Sequence, residues 1–105
     1  DTSDYRLKEN IVNLTGAINR VKALQTYRFN FKNNTSRTVD GFLAHEVASI
    51  VPEAVVGEKD AVDSNGNIKA QAIDRSKLVP VLTAALQEAI AKIEALETRV
   101  AALEA

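Results

Sequence analysis

A serine and a lysine stand five residues apart near the start of the chain, at Ser3 and Lys8. A serine hydroxyl becomes a nucleophile when a neighbouring base removes its proton, and a neutral lysine amine can be that base. A lysine is neutral at ordinary pH only if burial or cationic neighbours lower its pKa. Because exposed serines and lysines often occur at such spacing, the pair alone indicates two surface side chains rather than a catalytic site.

Other polar residues do not form a recognisable metal or cofactor site. His45 is the single histidine and there is no cysteine, so we interpret it as a partly buried residue on a helix surface. The polar stretch 60–67 lacks the spacing and the final bidentate glutamate of a calcium loop, and a hairpin tip explains it. The isolated glycines form no phosphate-binding loop. We therefore expect neither a metal nor a cofactor.

The size and charge of the chain limit its architecture and its partners. It has 105 residues, 46% hydrophobic and 26% charged, which predicts one folded domain over residues 1–105 and excludes two on size. With 13 basic and 14 acidic side chains it has no broad basic field, so nucleic acid and membrane are not expected as partners. Because it begins without methionine, we expect it to be part of a longer protein.

Apolar residues at the a and d positions of an uninterrupted heptad pattern occupy the C-terminal part of the chain, and we call these residues the seam. Charged residues flank the seam, with Lys92 and Arg99 at g positions and Glu97 and Glu104 at e positions. This arrangement favours parallel helices in register, so residues 76–105 are predicted to form one long helix that associates with copies of itself. The pattern fits both two and three strands. The seam consists of Val79, Leu86, Ile93 and Val100 at a, and Leu82, Ala89, Leu96 and Leu103 at d.

The preceding 75 residues show short elements of both kinds. The apolar spacing predicts a helix from about Leu14 to Leu24 with Thr15 as N-cap, and a second helix over 45–51 that Pro52 ends. Alternating residues predict a strand over 27–32, followed by a turn at 33–36 and a return through 41–44.

A second hairpin is predicted from 53–56 and 68–73, with an Asn-Gly turn inside its 63–67 tip. The fold class is therefore α+β: a globular part over 1–75 with short helices and β-hairpins, followed by a long helix in a parallel coiled coil over 76–105. The heptad pattern alone leaves the number of helices in this coiled coil open.

Three separated segments, SDYRLKENI, GFLAHEVASIVPEAV and IDRSKLVPVLTAALQEAI, occur in this order along the chain. Together they resemble the C-terminal intramolecular chaperone auto-processing domain of phage endosialidases, tailspikes and tail fibres. The resemblance covers essentially the whole chain. It implies that the coiled coil is trimeric. The homotrimer would assist folding of an upstream stalk of its own polypeptide and then release itself by autoproteolysis.

The resemblance also assigns residues to the cleavage. It implies a cut between Thr2 and Ser3, carried out by a catalytic dyad of Ser3 and Lys8. Other residues match the same motif and are expected to be positioning residues at most: Asp4, Arg6, Leu7, Asn10 and Ile11. The hairpin around 63–68 is the expected arm that reaches the stalk.

Two features depart from the simplest form of this interpretation. His45 stands where the family more often has glutamine, a change that affects nothing catalytic. Asp1 and Thr2 precede Ser3, so the chain spans the expected scissile bond. The alternatives are a trimerisation tag at the end of a fibre that does not cleave, and a coiled-coil adaptor for an unrelated helix, which the self-complementary e and g charges disfavour.

Overall fold

The computed structural model describes residues 2–105, so Asp1, which we expected ahead of the cleavage bond, lies outside the described residues. The fold is α+β, with two small antiparallel hairpins, two short helices and one long C-terminal helix. This confirms the predicted α+β class with short hairpins and a long C-terminal helix, while the parallel trimeric coiled coil stays a prediction. The radius of gyration is 19.2 Å, well above the ~13 Å of a compact chain of this length, because the long helix projects from the body.

Helix α1 spans Ala17–Ala23, shorter than predicted. The N-cap prediction for Thr15 is wrong: Gly16 precedes the helix with φ +71°, a left-handed conformation that glycine adopts without strain. The first amides of α1 are instead satisfied from the C-terminal helix, since Glu88 accepts from the amides of Ala17 at 3.1 Å and Ile18 at 3.3 Å. A carboxylate at a helix N-terminus also complements the helix dipole.

This contact predicts a measurable stability effect. Replacing Glu88→Ala leaves the buried amide of Ala17 without a partner, which we expect to lower the free energy of unfolding by about 1–2 kcal/mol. The melting temperature should fall by several degrees at fixed protein concentration. Glu94→Ala, an exposed glutamate on the same helix, is the matched control; an equal loss in both variants would contradict the capping role.

The first hairpin pairs β1, Tyr27–Phe31, with β2, Asn34–Gly41. Strand β1 lies where the alternation predicted it. The connection is shorter than predicted: it occupies residues 32–33, and 34–36 belong to β2, so of the expected return segment only Gly41 is paired. A register shift between Asn30 and Phe31 accommodates the tight turn.

Helix α2 spans Ala44–Ala48, and Pro52 begins a 3₁₀ turn over Pro52–Ala54. The predicted end of this helix at residue 51 is therefore three residues too far. Proline is well placed at the first position of a helical turn, where its missing N–H costs no hydrogen bond. Val47 and Val51 at this junction are fully buried and form the centre of the core.

The second hairpin pairs β3, Val55–Val56, with β4, Ala72–Ile73, as predicted, although its strands are shorter. A longer excursion between them holds an isolated bridge from Val62 to Ile68 and the predicted turn at 63–67. We call residues 57–71 the hairpin arm. It is almost entirely exposed.

Helix α3 spans Val79–Glu104. It starts three residues later than predicted, because Arg75–Lys77 form a 3₁₀ turn that the Asp74 side chain caps through the Ser76 amide. The body packs on one face of α3 through Val81 and Ala85, and on Leu78 just before the helix. The seam lies on the adjacent face, and none of its residues is buried.

Candidate functional site

A single turn of 3₁₀ helix over Tyr5–Leu7 reverses the chain at its N-terminal end. Asp4 caps this turn, because its Oδ1 accepts a hydrogen bond from the Arg6 amide at 2.9 Å. The amides of Leu7 and Lys8 donate to the carbonyl oxygens of Asp4 and Tyr5, each at 3.1 Å. The residues before and after the turn are thereby brought side by side.

The turn places the side chains of Ser3 and Lys8 in contact. Lys8 Nζ donates a hydrogen bond to Ser3 Oγ at 2.8 Å. The five-residue spacing thus has a local structural cause, since one short turn separates the two residues. This distance is within the range over which a base and a nucleophilic hydroxyl exchange a proton.

An ion pair fixes the shape of the same turn. Arg6 donates from Nε to Asp4 Oδ1 at 3.1 Å and from Nη2 to Asp4 Oδ2 at 2.8 Å, a two-pronged contact. These hydrogen bonds lower the pKa of the Asp4 carboxyl below its ordinary value and raise the pKa of the Arg6 guanidinium. Asp4 is therefore ionised wherever the turn is intact at neutral pH.

Asn10 changes the direction of the chain just after the site. Its φ is +55°, in the left-handed region, which asparagine tolerates better than most other residues with a side chain. Among the five residues expected to be positioning residues, Asp4, Arg6 and Asn10 thus have an identifiable conformational role.

The site lies on an extended segment, residues 2–16, which we call the N-terminal arm. Every residue of this arm is exposed in the single chain. Ser3 and Lys8 are therefore in water, and so is Thr2, whose carbonyl precedes Ser3. The arm also exposes several large apolar side chains: Tyr5, Leu7, Ile11 and Val12.

The remaining polar residues are not brought to this site. His45 lies on α2 and is exposed rather than partly buried, so its placement on a helix surface is confirmed and its predicted burial is wrong. Asp63 Oδ1 accepts from the amides of Asn65 at 2.8 Å and Asn67 at 3.0 Å, which is the geometry of a polar turn. Within residues 2–105, no three acidic or histidine side chains are grouped to hold a metal ion.

Glu88 is the residue near the arm that sequence reasoning missed. It joins α3 to the start of α1, where the arm ends, across 71 positions of sequence. No local pattern indicates such a contact, because glutamate on a long helix is ordinarily solvated. The one indication of this contact in the sequence is that Glu88 directly precedes the seam residue Ala89.

The sequence profile of the Peptidase_S74 family, described as chaperone of endosialidase, matches residues 3–56. The match begins at Ser3, ends at β3 and covers just over half of the chain. The chain belongs to the Peptidase_S74 family. No curated protein is significantly similar to it. Membership confirms the resemblance to an intramolecular chaperone domain and supports a chaperone role in an endosialidase and phage-tail context.

The family name designates a peptidase, and the matched segment contains both Ser3 and Lys8. The chain also contains, over residues 2–105, no helix with the length and apolar character needed to cross a bilayer.

Proposed function

We propose that this Peptidase_S74 domain is a homotrimeric intramolecular chaperone that assists folding of an upstream stalk and then cuts itself free between Thr2 and Ser3. The observation that carries the cleavage part is the 2.8 Å contact between Lys8 Nζ and Ser3 Oγ. The chaperone part rests on the family match, and the trimer on the exposed seam together with the resemblance.

The proposed reaction uses the two side chains in contact. Neutral Lys8 takes the proton from Ser3 Oγ, which attacks the carbonyl carbon of Thr2. The bond from that carbon to the Ser3 nitrogen breaks as Lys8 returns the proton to that nitrogen, which leaves as a free amine, and the Thr2 acyl group forms an ester with Oγ. Water then hydrolyses the ester, which yields the Thr2 carboxylate and restores the Ser3 hydroxyl.

Assembly supplies the condition that this chemistry needs. A lysine in water is an ammonium ion, which donates hydrogen bonds and takes up no proton, and the whole arm is exposed in the single chain. Exposed apolar side chains on both sides of Lys8, at Leu7 and Ile11, favour burial of the arm in the assembled protein. Burial disfavours the ammonium form and so favours the neutral amine. Cleavage would then follow assembly.

The seam supports association in register. Ile93 and Leu96 are each 55% exposed and Val100 is 50% exposed, on a helix end, 91–105, where every residue is exposed. Covering such residues is favourable by about 25 cal/mol per Å² of apolar surface. In parallel helices, each g position faces the e position five residues later, which pairs Lys92 with Glu97 and Arg99 with Glu104 of a second copy.

The hairpin arm is the proposed contact with the stalk. It extends over residues 57–71, and Val62 and Ile68 near its tip are 59% and 84% exposed. Its single bridge and short strands leave it few contacts with the body, so a partner can bind without disturbing the core.

The test of the chaperone function compares the chain together with its upstream polypeptide and a version that stops after Thr2. We expect the shortened version to yield aggregated or monomeric stalk, and the complete version to yield trimeric stalk by light scattering. A Ser3→Ala form should also yield trimeric stalk but remain uncut. A shortened stalk that trimerises equally well would contradict the chaperone role, and a wild-type chain that stays uncut in a folded trimer would favour the fibre tag.

Asp4 should affect cleavage through the turn it caps. Asp4→Ala removes the cap and the ion pair with Arg6, so we expect cleavage to slow several-fold, measured as the uncut fraction over time. Asp4→Asn keeps an N-cap acceptor and should lie between wild type and Asp4→Ala. Because the pKa of Asp4 is lowered, its stabilisation of the turn is complete above the ordinary value of 3.8 and is lost as pH falls through the lowered pKa. Equal rates in all three proteins would remove Asp4 from a positioning role.

A further inference from the structure

An apolar groove runs between α1 and α3 beside the seam. It has a volume of about 350 Å³ and is walled by Ile18 and Val21 of α1 and by Leu82, Ala85 and Leu86 of α3. Ile18 and Val21 are only partly covered by their own chain, and Leu82 and Leu86 are 46% and 63% exposed. The groove is therefore continuous with the surface on which a second α3 is proposed to lie.

The heptad register identifies which residue of a second copy faces this groove. The g-to-e relation that pairs Lys92 with Glu97 and Arg99 with Glu104 continues one heptad earlier, where it sets Ala85 opposite Ile90. Ala85 lines the groove and is only 7% exposed because α1 packs beside it, but its methyl group leaves the groove unfilled. Ile90 is a large apolar residue at an e position and is 45% exposed in the single chain.

We propose that Ile90 of a neighbouring copy inserts into the groove between α1 and α3, so that α1 is part of the interface between chains. This proposal rests on the proposed parallel trimer. The two charge pairs fix the register of the neighbouring helix, and the same register delivers an isoleucine to the apolar cavity that Ile18, Val21 and Ala85 form. Because α1 begins where the N-terminal arm ends, a neighbour on α1 also contacts the element to which that arm is joined.

The absence of cysteine from the chain allows a direct test. The double variant Val21→Cys with Ile90→Cys is treated with a short bis-maleimide, and the covalent products are separated under denaturing conditions. We expect links between chains in the double variant, and at most traces in either single variant. The protein could be trimeric by light scattering while the double variant gives no more links between chains than the single variants. In that case Ile90 of a neighbouring copy does not lie in the groove, and the proposal fails.

A charge substitution gives an independent readout. Ile90→Asp places a carboxylate in the apolar groove, and we expect it to raise the concentration for half-maximal trimer formation about tenfold or more. Ala91→Asp, which carries the same charge on the outward face of α3, should leave that concentration unchanged. Equal effects of the two substitutions would overturn the proposal. A wild-type chain that is itself monomeric would instead refute the trimer on which the proposal rests.

Discussion

Lys8→Arg should abolish cleavage while leaving the trimer intact. Arginine keeps the positive charge and much of the length of lysine, but its guanidinium cannot lose a proton in a protein. It therefore still donates a hydrogen bond toward Ser3 Oγ yet cannot act as the base that activates it. Loss of general-base catalysis lowers rates by about 10²–10⁴-fold, so we expect no cut product in the time that wild type needs for completion.

The matched control is Lys32→Arg in the turn of the first hairpin, which makes the same chemical change at an exposed lysine away from the dyad. It should cleave at the wild-type rate. Intact mass and light scattering on the same samples separate loss of chemistry from loss of assembly. Cleavage of Lys8→Arg at a rate near that of wild type would remove Lys8 from the role of base.

The double variant Ile93→Asp with Val100→Asp should convert the trimer to monomers. Both residues occupy a positions of the seam, and each contributes about 1.5–3 kcal/mol per chain when buried. The substitutions remove that gain and place two carboxylates per chain beside like charges of the neighbouring helices. We expect monomers by light scattering at micromolar concentration and, because assembly precedes cleavage in our proposal, an uncut chain.

The control for the seam is Ala91→Asp with Thr98→Asp, which adds the same charges at the same spacing of seven on the outward face of α3. This variant should remain trimeric and cut itself. If the seam variant also stays trimeric, the chains associate through another surface. If it is monomeric and still cleaves, the dependence of cleavage on assembly is wrong.

Patterns that are local in sequence predicted much of this fold. The two-residue alternation located β1, the Asn-Gly dipeptide located the turn of the hairpin arm, and the heptads located α3. Apart from the burial of His45, the errors fall at element ends, where tertiary contacts decide. Thr15 has the chemistry of an N-cap, but Glu88 from α3 satisfies the first amides of α1 instead, and no short sequence window contains both partners.

The candidate site likewise has one part that local sequence specifies and another that distant contacts decide. The contact between Ser3 and Lys8 depends on one short turn, so a motif can specify it, and Asp4 supplies both the cap and the ion pair of that turn. The environment that would make Lys8 a base depends on which surfaces cover the N-terminal arm. These covering surfaces belong to residues far away in sequence and to neighbouring copies. The five-residue spacing between Ser3 and Lys8 does not encode them.

The most direct test of self-cleavage is the intact mass of the chain produced with its upstream polypeptide, compared with that of a Ser3→Ala version. We expect wild type to give two products, one beginning at Ser3 and one ending at Thr2, and Ser3→Ala to give the full-length mass alone. If both proteins remain at full length as folded trimers, or if both are cut at this bond, then Ser3 is not the nucleophile of a self-cleaving chaperone.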